Sequence, residues 1–143
     1  MVLYARDIVE RDFISLEPDT TVREASKIMK DRKHGFVITS RPDGSPGGVV
    51  TEWDILAKVV AEGKDPSKVK LREIMTSEVV SVDSGEGIAQ VAQLMTDRGI
   101  RRVVVIDHGE VIGVITARTI LARLKEYVDK VSSQISRLQA PWF

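Results

Sequence analysis

The chain contains no cysteine, which excludes a disulfide framework, a thiolate nucleophile and a cysteine-based zinc site. Its two histidines, His34 and His108, are too few for a histidine-rich metal centre. Aromatic residues make up 5% of the sequence, too sparse for a stacking platform along a nucleic-acid strand. An excess of one charge is also missing: 21 basic residues balance 21 acidic ones, so the global field that drives nonspecific nucleic-acid binding is not there. No apolar run approaches a membrane span, and Met1-Val2-Leu3-Tyr4-Ala5-Arg6-Asp7 meets charge too soon for a secretory signal. These absences predict a cytoplasmic protein with no metal and no membrane partner, and they disfavour nucleic acid.

What is present is ordinary globular material, 143 residues with 43% hydrophobic and 29% charged side chains, enough for one compact domain. Phe13-Ile14-Ser15-Leu16 is a β-type run closed by Pro18. Thr21 and Glu24 have capping-box spacing, and Val22, Ala25, Ile28 and Met29 follow at helical period. Phe36-Val37-Ile38-Thr39 has strand length, and the proline- and glycine-containing segment after it reads as a loop. Gly48-Val49-Val50 is a further strand, and the helix carrying Ile55, Leu56, Val59 and Val60 stops at Gly63.

The same order then recurs. Leu71-Arg72-Glu73-Ile74-Met75 repeats the lead-in Ala5-Arg6-Asp7-Ile8-Val9, and Val79-Val80-Ser81-Val82 repeats the first strand. Ile88, Val91, Leu94 and Met95 repeat the helical face, and Val103-Val104-Val105-Ile106 precedes a tight turn, Asp107-His108-Gly109-Glu110, and a last strand, Gly113-Val114-Ile115. The chain is therefore two copies of a unit of about 60 residues, predicted to share a core around a pseudo-twofold axis. The expected divisions are residues 1–63, a linker at 64–70, residues 71–127, and a carboxy-terminal extension at 128–143. Met29, Met75 and Met95 are core by spacing, Trp53 is expected to pack, and His108 sits inert in its turn.

The junction Gly48-Val49-Val50-Thr51-Glu52-Trp53-Asp54 has two readings. Thr51 and Asp54 form a capping box that needs no ligand, or they bind one, with the helix start and the hydroxyl taking a phosphate and the acid taking sugar hydroxyls. The second copy, Gly113-Val114-Ile115-Thr116-Ala117-Arg118-Thr119, keeps the threonine and puts Thr119 where the acid stood. The last helix outruns its twin: Leu121, Leu124, Val128, Val131, Ile135 and Leu138 alternate steps of three and four, a heptad-like seam widened by Tyr127 that predicts a homodimer. Trp142 and Phe143 form an apolar tail that docks on the dimer or awaits an unidentified protein partner.

The doubled unit, the phrase Arg72-Glu73-Ile74-Met75-Thr76, the run from Gly99 to Asp107 and both junctions resemble a tandem pair of cystathionine β-synthase (CBS) domains, a Bateman module. The resemblance covers about Ala5 to Tyr127 and implies an α+β fold: two β-α-β-β-α repeats about a pseudo-twofold axis, here with an extended carboxy-terminal helix. It also implies a stand-alone regulatory module that binds an adenosyl ligand between its repeats, AMP first, with ADP, ATP or S-adenosylmethionine as alternatives. Carried over by the family's pattern, Thr51 and Asp54 would be completed by Ile100, Arg101 and Arg102, with Ser81 and Val82 near the base. A second, weaker cleft would combine Thr116 and Thr119 with Lys33, His34 and Gly35. An enzyme is not expected, because the sequence shows no nucleophile–base pair, metal-ligand cluster or glycine-rich phosphate loop of known spacing. A scaffold that dimerises or docks a partner with empty clefts is the alternative.

Overall fold

The computed structural model describes residues 3–139, so Trp142 and Phe143 lie outside the described residues. The backbone N–H of Glu24 donates to Thr21 Oγ1 at 3.2 Å, which satisfies one of the orphan donors at the start of α2 (Val22–Arg32). Val22, Ala25 and Met29 form its buried face. β1 (Ser15–Leu16), β2 (Phe36–Ser40) and β3 (Pro46–Thr51) make a sheet in that order, with β1 parallel and β3 antiparallel to β2. The second repeat reproduces it with α5 (Ile88–Arg98) and the sheet β4 (Ser81–Asp83), β5 (Arg102–Asp107), β6 (Glu110–Thr116). His108 and Gly109, at φ of 51° and 81°, give the β5–β6 hairpin two consecutive left-handed residues, whose twist matches that of the strands.

The lead-ins cross over. Helix α1 (Ala5–Ile8) buries Ala5 and Ile8 among Val82, Val91, Val103 and Ile115 of the second repeat. Helix α4 (Leu71–Ile74) buries Leu71 and Ile74 among Ile14, Val22, Val37 and Val50 of the first. Backbone bonds fix the exchange, from Ala5 N to Glu86 O at 2.8 Å and from Leu71 N to Thr20 O at 2.9 Å. Isolated bridges confirm the twofold relation by coming in matched pairs, Tyr4 with Gly87 and Lys70 with Thr21, Glu10 with Val114 and Thr76 with Val49.

The expected single shared core is thus two repeat cores, each completed by the other repeat's lead-in. A smaller cluster joins them on the dyad, formed by buried Ile38, Val104 and Val114 with Phe13, Phe36, Val49 and Val79 against them.

After each junction the two repeats diverge. α3 (Glu52–Ile55) passes into a π-helical turn, Leu56–Val60, whereas α6 runs from Ala117 to Gln139 as one helix. Val59 is buried, but Leu56 and Val60 are 50% and 63% exposed and Trp53 is 67% exposed. The expectation that Trp53 packs is therefore wrong for this chain: the helix offers its own sheet one narrow strip, and Trp53 lies off it. On α6, Leu121, Leu124, Tyr127, Val128, Ile135 and Leu138 are exposed as well. Among the described residues no helix is long and apolar enough to cross a membrane.

Candidate functional site

At the first junction both capping bonds form. Thr51 N donates to Asp54 Oδ2 at 2.8 Å, and Asp54 N donates to Thr51 Oγ1 at 3.3 Å. The Thr51 hydroxyl also donates to Asp54 Oδ2 at 3.1 Å, which commits its single proton. A phosphate could therefore gain a donor from Thr51 only by breaking that bond. Asp54 is 9% exposed, and its other oxygen, Oδ1, is 3.1 Å from Lys58 Nζ. The local capping reading of this stretch is correct.

Thr51 and Asp54 also open onto a cavity of about 310 Å³ between the repeats. Ile100, Arg101 and Arg102 form its opposite wall, so five residues chosen from separate parts of the sequence converge on one space. Among the described residues neither guanidinium is ion-paired. Arg102 lies over the Phe36 ring, 5.2 Å from its centroid, a cation–π contact that fixes the side chain where the two repeats meet.

Ser81 and Val82 do not line the cavity, contrary to expectation. Ser81 is exposed and Val82 packs in the second core, while Val79 and Val80 take their place on the wall. The reason is register. Ser81 pairs with Val104 and Val80 O accepts from Val104 N at 3.1 Å, so the residues level with Arg102 are those just before β4. Phe36, Val49, Thr76, Glu78 and Gly99 also line the space. The parallel register would have indicated Val79; nothing in the sequence pattern indicated Thr76, which arrives through the lead-in exchange.

CBS domain sequences match residues 5–61 and 71–126, one per repeat. The chain belongs to the CBS domain family. Uncharacterized protein MK0525 of Methanopyrus kandleri is 31% identical over 134 residues, 93% of this chain and 68% of its own length. The CBS domain pair of protein MJ0100, solved in complex with 5′-methylthioadenosine and S-adenosyl-L-methionine, aligns with a TM-score of 0.78 at 26% identity, over 89% of this chain and 99% of that one. PAE2072 of Pyrobaculum aerophilum, solved with AMP, gives a TM-score of 0.74 at 28% identity, over 82% of this chain and 89% of that one. A regulatory CBS module fits this family membership, and MJ0100 and PAE2072 were each solved with adenosyl ligands.

The second CBS cleft, about 490 Å³, is lined by His34, Thr116 and Thr119 together with Glu10, Asp12 and Arg118. Lys33 and Gly35 do not reach it; they border a separate depression with Ser26, Lys30 and Glu52. Lys33 takes the left-handed position that ends α2, at φ of 57°, and Gly35 O is held by Glu52 N at 2.9 Å. Thr116 and Thr119 satisfy one another, their hydroxyls 2.8 Å apart. Asp12 accepts from Arg32 and from His34 Nε2, and these bonds, Arg32's foremost, hold its carboxyl below the usual carboxylate range. This cleft thus presents a carboxylate that stays ionised at neutral pH, which disfavours an anionic ligand group there, and its histidine is already engaged.

Proposed function

We propose that this CBS pair is a regulatory module that binds one adenine nucleotide per chain, AMP first and ADP or ATP as alternatives, and acts as an energy or ligand sensor. The observation that carries this is the meeting of Asp54 from one repeat with Ile100, Arg101 and Arg102 from the other across one cavity. Its volume is at the small end of the range for small-molecule sites, which favours a monophosphate over longer chains. In this reading Asp54 Oδ1 accepts from a ribose hydroxyl, Arg101 and Arg102 pair with phosphate oxygens in fork geometry, and Ile100 with Val80 covers the base. MJ0100 and PAE2072 support an adenosyl class of ligand, and S-adenosylmethionine is the alternative within it.

The mechanism is differential affinity. A ligand that touches both walls favours the relative placement of the repeats in which both sets of contacts form, and it shifts the population toward that placement. Isothermal titration with AMP, ADP, ATP and S-adenosylmethionine is the direct test, with AMP expected to bind most tightly and with one site per chain. If none of the four binds below the millimolar range, the nucleotide reading fails. The module would then be the dimerising or docking scaffold that its exposed apolar helix faces favour.

A further inference from the structure

Lys58 lies on the π-helical turn and is fixed from two sides. Its Nζ is 3.1 Å from Asp54 Oδ1 and donates to the carbonyl oxygen of Ile74, at the end of α4, at 2.9 Å. The side chain does not line the cavity, so it can influence a ligand there only through the Asp54 carboxylate. The second repeat provides an internal comparison. Arg123 stands in the place of Lys58 and donates to the carbonyl of Asp7, in α1, at 3.0 Å, but Thr119 offers it no acid. Tying the junction helix to a lead-in helix is common to both repeats. The pairing with a junction carboxylate belongs to the first alone; Arg123 instead meets Glu126, further along its own helix, at 3.5 Å.

An ionised carboxylate offers about four acceptor positions, two per oxygen. Thr51 N and Thr51 Oγ1 both donate to Oδ2, which fills it. Oδ1 accepts from Lys58 and retains one position. Resting on the nucleotide reading above, we infer that Lys58 is a positioning and specificity-determining residue that limits Asp54 to one of the two vicinal hydroxyls of a ribose. The site then reads a single hydroxyl and does not clamp the diol. The tether to Ile74 O matters to this, because an ammonium hydrogen-bonded to a backbone carbonyl is not free to swing away when a ligand arrives.

The test titrates AMP, 2′-deoxy-AMP and 3′-deoxy-AMP into the wild-type protein, Lys58→Met and Lys58→Arg. In the wild type, one deoxy analogue is expected to bind about tenfold or more weakly than AMP, the loss of a hydrogen bond to a charged group, and the other within about threefold. Lys58→Met keeps the apolar stem and vacates Oδ1, so both analogues should now lose about tenfold. Lys58→Arg should restore the wild-type pattern. A merely structural role would weaken all three ligands equally in Lys58→Met and leave their ratios unchanged; that result overturns the inference. Equal losses for both analogues in the wild type would overturn it too, without recourse to any variant. If AMP binds and the pattern fails, the nucleotide reading stands and only this inference falls. If AMP does not bind the wild type at all, both fall.

Discussion

Asp54 serves the helix and faces the cavity at once, and the second repeat shows how to separate the two roles. There Thr119 takes the equivalent place, its N–H donates to Thr116 Oγ1 at 3.1 Å and its hydroxyl meets Thr116, so a threonine satisfies the same junction. Asp54→Thr should therefore keep most of the capping contribution, about 1 kcal/mol in a typical helix, while removing the acid that the first junction presents to the cavity. We expect a melting temperature within a few degrees of wild type, roughly the shift such a small loss gives, and AMP binding at least about tenfold weaker. Unchanged affinity in a calorimetric titration would leave Asp54 as a cap and nothing more. The pairing of Thr51 with Asp54 was legible because it is local, set by a spacing of three residues. Lys58 was not, because its second partner, Ile74, comes from a segment that reaches the junction only through tertiary packing.

At the scale of elements, the junction glycines record the lead-in exchange. A Cβ on Gly113 would stand 2.2 Å from Glu10 O and 2.6 Å from Val9 Cγ2, where backbone presses on backbone. A Cβ on Gly48 would meet Met75 Sδ at 2.7 Å and Cγ at 2.9 Å, part of a flexible thioether chain that can turn aside, and its nearest backbone atom, Thr76 O, stands farther off at 3.1 Å. Gly113→Ala should thus destabilise by about 1–3 kcal/mol, the usual cost of overpacking, and Gly48→Ala by clearly less. Thermal unfolding of the two variants side by side checks the order, and an equal or reversed order would mean that the lead-ins are not held as described. The repeat and the succession of strands and long helices along the chain could be read from periodicity, since those signals are local and occur twice. The exchange could not. Each lead-in resembles its twin in sequence, so grouping it with the strands that follow is natural, yet α1 completes the second core and α4 the first. The misplacement of Ser81 and Val82 has a different origin: nothing in the short run Val79-Val80-Ser81-Val82 marks the parallel register that puts its first two residues on the wall.

At the scale of the whole molecule, the question is what the exposed apolar side chains are for. Leu121, Leu124, Tyr127 and Val128 continue along α6 to Ile135 and Leu138, all at least 47% exposed, with Val131 half-buried between them. Single exposed leucines need no explanation, but a continuous strip of this length marks an interaction surface. Its three–four spacing is that of a helix seated against another helix. We propose a homodimer held in good part by this seam. The cavity wall, by contrast, takes no residue beyond Val114, so assembly and ligand binding should be separable. A chain ending after Tyr127 removes Ile135 and Leu138 and leaves every cavity residue in place. By light scattering at micromolar concentration the full chain should have the mass of a dimer and the shortened chain that of a monomer, or dissociate at concentrations at least about tenfold higher. AMP affinity should stay within about threefold, because the contacts proposed for it lie wholly within one chain. A full-length monomer would sink the dimer. A shortened chain that folds, stays monomeric and no longer binds AMP would show instead that the clefts depend on the partner copy, and the sensor would have to be described as a property of two chains.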